Sequence, residues 1–186
     1  MADARSIREF KQFDSSVPEV GILLGAMQEV RANLLHSLGR VERASGFGQE
    51  FLDWRGPTGG DNSVGALLYH IAGVELGWLY TAILLGDASE EMAELLPAPA
   101  WDEHERLSQV PGIPLERHLE LLAEARRRYL EVVGPMSMDE WKELRSPPDE
   151  DFSMSTEWVT FHLVEHEAGH LYQIHRLIRL WLEKHG

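Results

Sequence analysis

The stretch His162-Leu163-Val164-Glu165-His166-Glu167-Ala168-Gly169-His170-Leu171-Tyr172-Gln173-Ile174 carries three histidines four residues apart inside a segment of helical composition. Successive residues of an α-helix advance by ~100°, so His162, His166 and His170 stand one above another on a single face. Adjacent turns are ~5.4 Å apart, close enough for two imidazoles to share an ion, whereas residues two turns apart do not easily form the pair. His166 therefore belongs to any ligand pair that this run supplies. The helix bearing it is expected from about Ser155 to Lys184, ending in Leu177, Ile178, Trp181 and Leu182.

Working outward, Val20, Leu23, Leu24, Met27, Val30, Leu34, Leu35, Leu38 and Val41 follow the helical period and predict a first helix from about Val17 to Arg43. Ser16 to Glu19 reads as its capping box, with Pro18 in the first turn. A Gly- and Pro-bearing stretch from Gly46 to Gly60 leads to Asp61, Asn62 and Ser63, whose side-chain oxygens can cap a second helix running to about Leu85. Pro114 starts a third, with Leu115, Leu119, Leu122, Tyr129, Leu130 and Val133 on its apolar stripe and Gly134-Pro135 at its end. Ser137 to Glu140 is another capping box, opening a short helix through Trp141 and Leu144. Asp87 to Gly112, acidic and broken by Pro97, Pro99 and Pro111, reads as a long connection with a short helical turn around Trp101 to Leu107. Pro147-Pro148 and the acidic residues 149–151 form the loop before the last helix. No β pattern survives. The expected fold class is all-α, a four-helix bundle in one domain over residues 1–186, an architecture that builds cofactor sites from facing side chains in its core.

Composition narrows the chemistry. The 186 residues and 44% hydrophobic content suffice for one sizeable core. With no cysteine, a metal can be held only by imidazole, carboxylate or backbone oxygen, and the chain fits a cytoplasmic setting. The first residues contain no apolar core of a leader, and no stretch approaches ~18 uninterrupted apolar residues, so neither export nor a membrane is expected. A net charge of −14 disfavours nucleic acid and anionic membranes, whose binding needs clustered Lys and Arg. Arg126-Arg127-Arg128, the only dense basic run, reads as a solvated face interspersed with Glu124 and Glu131. A homodimer is compatible with aromatics such as Trp181 lying outside the core.

Two imidazoles on one helix fall short of a firm divalent site, which generally takes three protein ligands. The best third candidate is His70 on the second helix, placed on an inward face by Leu67, Val74 and Gly77, where Gly73 and Gly77 leave room for an ion or substrate. Close packing of the first two helices explains those glycines equally well. Three neutral imidazoles leave coordination positions open for water or a substrate atom, and suit Zn, Ni, Co or Fe(II). Glu167 borders the same face as a candidate base, with a solvated Glu as the competing reading, and Gln173 is a candidate second donor. His162 reads better as a partly buried neighbour than as a ligand. His36, His104, His118, His175 and His185 read as surface or satisfied structural residues. His166-Glu167-Ala168-Gly169-His170 also matches the H-E-x-x-H pattern of zinc proteases. The extended form of that pattern needs Gly and His where this chain has Gln173 and Arg176, and Glu183 is the sole side-chain carboxylate after His170, so the residues that complete a protease site do not follow the motif.

Those residues are also where the chain resembles the DinB/YfiT-like superfamily of metalloenzymes. Asn62 to Trp78 looks like the family's second-helix motif, whose His is a ligand, and His162 to Ile174 looks like its fourth-helix motif, which supplies two more. Carried over, the ligands are His70, His166 and His170. The chain departs from the pattern at Gly169, where many relatives have His, and at Tyr172, where many have Gly. The resemblance implies a DinB-like four-helix bundle, up-up-down-down, with long connections before the third and fourth helices, often dimeric and holding Ni or Zn with open positions. It also implies a thiol-dependent transferase, since characterised relatives join low-molecular-weight thiols such as bacillithiol to electrophiles or isomerise maleylpyruvate with mycothiol. Metal coordination deprotonates a thiol and holds the thiolate at neutral pH. The expected function is thus a metal-dependent enzyme activating a small-molecule thiol or water. A metal-dependent hydrolase with Glu167 as base, or a non-catalytic metal-binding stress-response protein, are the competing readings.

Overall fold

The computed structural model describes residues 9–42, 47–87, 89–147 and 151–185. Four long helices form the body: α1 (Pro18–Glu42), α3 (Val64–Gly77), α5 (Leu115–Val133) and α7 (Thr156–His185). Three short ones, α2 (Gln49–Asp53), α4 (Ser89–Leu95) and α6 (Met138–Lys142), lie in the connections. Several ends follow the expected chemistry. Ser63 caps α3 by accepting from the Ala66 N–H at 3.1 Å, and Ser137 and Glu140 close a reciprocal capping box on α6. Ser155 accepts from the Trp158 N–H at 3.2 Å, starting α7. At α1 the register is one later than the box Ser16 to Glu19 requires: the Gly21 N–H bonds to the Val17 carbonyl, and Pro18 takes the first helical position. Arg43 and residues 148–150 of the expected loop lie outside the described residues.

Cross-helix bonds fix the directions. Arg31 reaches the Leu122 carbonyl while Arg126 reaches the Met27 carbonyl, so α1 and α5 are antiparallel. Glu75 meets Arg126 and Tyr80 meets Arg128, so α3 and α5 are parallel. Glu167 meets Arg31 and His175 meets Ser37, so α1 and α7 are parallel. The order is therefore up-down-down-up, which corrects the expected up-up-down-down while leaving the four-helix bundle as the fold class. The physical reason is the position of the longest connection. Residues 84–114 can return the chain across the full length of the bundle, letting the consecutive helices α3 and α5 run the same way.

α3 continues past Gly77 as a π-helical turn, Trp78–Ile83, in which the Leu84 N–H reaches back to the Leu79 carbonyl. The span Val64–Ile83 is long and apolar enough to cross a membrane by length and composition. Its Leu67, Leu68, Ile71, Leu76 and Leu79 are instead buried against the other helices, the use to which a core helix puts such a sequence.

The core divides into two apolar halves. Leu34, Leu68, Leu122 and Ile174 belong to one, and Leu24, Leu79, Tyr129 and Leu163 to the other. Between them lies a charged layer with one residue from each long helix: Arg31, Glu75, Arg126 and Glu167, all at most 6% exposed. Glu75 accepts from Arg31 at 2.8 Å and from Arg126 at 2.6 Å; Glu167 accepts from Arg126 at 2.8 Å and is also paired with Arg31. Burial alone would lower the Arg126 guanidinium, yet Glu75 and Glu167 more than offset it and hold it above its ordinary value. Arg126 is thus an interior residue, which corrects its reading as part of a solvated face; only Arg127 is exposed as expected, paired with Glu124 and Glu131. Trp181 is likewise interior, 4% exposed and packed among Phe47, Phe51 and Trp54, so it offers no support for a dimer surface.

Candidate metal centre

α3 and α7 cross antiparallel, and where they meet His70 faces His166 and His170. The His70 Nε2 and His166 Nε2 atoms are 3.0 Å apart, and so are the His166 and His170 Nε2 atoms. Among the described residues this trio is the one group of histidines and carboxylates able to hold an ion, with ligand atoms all within 4.8 Å of one another. The donor set fits a divalent cation: nitrogens ~2.1 Å from one ion lie about 3 Å apart when they subtend ~90°. His170 directs Nδ1 at the Gln173 Oε1, 3.4 Å away, which favours a proton on Nδ1 and leaves the Nε2 lone pair facing its neighbours. The His70 Nδ1 is buried with no hydrogen-bond partner among the described residues, and its ring is instead held by packing, with Trp101 T-shaped at 5.5 Å.

Electrostatics keep the three rings neutral. Burial, then repulsion from His170, lowers His70 to about 4. Burial and the neighbouring His170, His70 and His162 lower His166 to about 3, and burial lowers His170 against the opposing Gln173 contact. Neutral imidazole is the state that binds a metal.

The other expected participants lie elsewhere. Glu167 is 3% exposed, and both its oxygens are taken by Arg31 and Arg126 in the charged layer. One residue past His166, it is turned ~100° from the histidine face into the bundle interior. The geometry corrects its placement on the site as a base and explains why the protease-like pattern has no counterpart in space. His162 stacks on Trp158 with the ring planes 4° apart and lies against Trp78, one turn outside the trio. His36, His104 and His175 are exposed, and His185 bonds to the Trp181 carbonyl. His118 departs from a satisfied residue: it is 1% exposed with both ring nitrogens unpartnered among the described residues. Gly169 and Tyr172 are exposed, so neither departure from the family pattern disturbs the packing.

The connection after α3 supplies what the sequence reading missed. α4 forms there, and residues 101–107 are not helical but a loop closed by an antiparallel bridge between Trp101 and Leu107. Tyr69 ties this segment to α3 by donating to the Ala98 carbonyl at 3.0 Å and accepting from its N–H at 2.9 Å. The result is a cavity of about 430 Å³ walled by His70, Gly73, Gly77, Trp78, Leu96 and Trp101. A Cβ on Gly77 would meet nothing within 4 Å, and one on Gly73 would meet only Leu96 at 3.6 Å. The glycines therefore open space beside the histidines, and close helix packing does not explain them. The acidic start Ser89-Glu90-Glu91 was a legible sign of α4, obscured by the prolines that follow.

The DinB superfamily profile matches residues 26–174, most of the chain and all of the trio. The crystal structure of a conserved protein from Enterococcus faecalis is similar in fold, with a TM-score of 0.64 over 86% of this chain and 94% of that one, at 13% identity. No curated protein matches. The helical architecture, the extent of the profile match and this structural likeness agree: the chain belongs to the DinB superfamily.

Proposed function

We propose that the protein is a metal-dependent enzyme in which His70, His166 and His170 hold a divalent ion and a small-molecule thiol is activated for attack on an electrophile. The observation that carries this reading is the convergence of three neutral imidazoles beside an open cavity, with the His166 Nε2 3.0 Å from the Nε2 atoms of both His70 and His170. When bound, such an ion lowers the pKa of a thiol or water at its open positions and stabilises the resulting anion. The chain's own part is to present the imidazoles from two crossing helices, to orient His170 through Gln173, and to shield one side of the site with Trp101. Thiol activation is favoured over hydrolysis because Glu167, the base that hydrolysis would use, is committed to Arg31 and Arg126. Nickel and zinc suit the all-nitrogen donor set, as do cobalt and iron(II).

The test is turnover by protein reconstituted with Zn or Ni, using a model electrophile such as chlorodinitrobenzene and a panel of low-molecular-weight thiols. Turnover that needs both thiol and metal and disappears in His166→Ala supports the proposal. Turnover of ester or amide substrates without thiol would assign a hydrolase instead. Stoichiometric metal with neither activity would leave a binding protein.

A further inference from the structure

Two cavities share Trp101 in their walls. The first, described above, has no charged residue in its wall and is lined by rings, methyl groups and the bare backbone of Gly73 and Gly77. The second, of about 460 Å³, is walled by Arg55, Asp61, Asp102, Arg106, Gln173 and Arg176, with Trp101 shared. Its charges do not cancel. Asp61 takes Arg176 at 3.0 Å and Asp102 takes Arg106 at 2.9 Å. Arg55 spends its Nε on the backbone carbonyl of Asp61 at 3.2 Å and has no carboxylate partner among the described residues. In a chain of net charge −14, this half-buried guanidinium is an unmatched cation facing a cavity. The first cavity has His70 in its wall, and the second has Gln173, whose Oε1 lies 3.4 Å from the His170 Nδ1.

We propose that the substrate of this site is an amphipathic monocarboxylate whose ring-sized apolar group fills the Gly73–Gly77 cavity and whose carboxylate pairs with Arg55, leaving the reactive atom between them at the histidines. The last clause rests on the metal-dependent reading above; the two binding lobes do not. A planar carboxylate matches the guanidinium fork, whereas Asp61 and Asp102 in the same wall disfavour a dianion such as phosphate. The two volumes lie within the range of small-ligand sites.

The test uses isothermal titration of the full chain, metal-free and zinc-loaded, with 4-phenylbutanoate, 4-phenylbutanamide and butanoate. The acid should bind about 10-fold more tightly than the amide in both metal states, the effect of one charge-assisted contact. Arg55→Gln should abolish that preference and Arg55→Lys should restore part of it, with thermal melts establishing that both variants are folded. Gly77→Leu, which fills the apolar lobe from a helix position that favours Leu over Gly, should weaken both phenyl ligands about 10-fold and leave butanoate unchanged. Equal binding of acid and amide to metal-free wild type overturns the proposal. So does an acid preference that survives Arg55→Gln, or phenyl binding indifferent to Gly77→Leu. Because the preference is read without metal, failure of the histidines to bind an ion would strike the proposed function and leave this inference standing. Metal binding without any acid preference would do the reverse.

Discussion

Replacing Glu167 with Gln is the sharpest perturbation of the fold, because it removes one of four charges that balance in a buried layer. Arg31 and Arg126 would then face Glu75 alone, leaving a net positive charge at positions no more than 6% exposed. Removing one partner of a buried ion pair costs ~3–5 kcal/mol, and since Gln keeps a carbonyl oxygen for one guanidinium the lower end, about 3 kcal/mol, is expected. Domains are stable by only ~5–15 kcal/mol, so the loss is a large fraction of the total. For a chain of this size it corresponds to a fall in Tm of roughly 6–12 °C. The assay is urea denaturation at pH 7 followed by far-UV circular dichroism on metal-free protein, so that metal-linked stabilisation does not enter. Glu75→Gln should lose a similar amount, while metal stoichiometry in Glu167→Gln should match wild type. A Glu167→Gln variant within ~1 kcal/mol of wild type that had lost its metal would refute the reasoning and return Glu167 to the site.

Three further outcomes follow from particular residues. Burial holds His118 at about 4, below the ordinary histidine value, so the unfolded chain takes up the proton first as pH falls. Its contribution to stability is intact above ~6.5 and lost between there and about 4, with a limiting slope of ~1.4 kcal/mol per pH unit. Urea midpoints of metal-free wild type and His118→Leu across that range should show the variant's slope smaller by up to one proton, and parallel curves would contradict this. Gly77→Ala places a methyl group in open space on a helix and should raise stability by ~1 kcal/mol; a lower Tm would mean the cavity is not open there. His162→Ala removes a ring stacked on Trp158, outside the trio, and metal content by elemental analysis should remain that of wild type.

Much of this architecture was legible in the chain. Apolar residues at helical spacing, together with capping residues such as Ser63 and Ser137, placed all four long helices; the four-residue spacing of the histidines put His166 in any ligand pair, and the resemblance to the DinB/YfiT-like superfamily pointed to His170 over His162 as its companion. The charged layer was legible too, but only in retrospect. Arg31 lies between Met27 and Leu34 on the apolar stripe of α1, and Glu75, Arg126 and Glu167 interrupt the stripes of their helices in the same way. A charge inside a stripe calls for a partner on another helix, and four such interruptions among four helices satisfy one another. Read one helix at a time, Glu167 looked like a base and Arg126 like a surface residue. Helix directions were not legible, because local periodicity carries no information on whether a connection crosses the bundle or turns back. The roof over the site depended on Tyr69 and Ala98, a contact between residues far apart in sequence that no local pattern announces.

Elemental analysis of protein purified without a histidine tag tests the central claim most directly. One divalent ion per chain in wild type, lost in His166→Ala and in His70→Ala but retained in His162→Ala, is the predicted result. Wild type free of metal after incubation with Zn and Ni, or His166→Ala retaining a full complement, would contradict it.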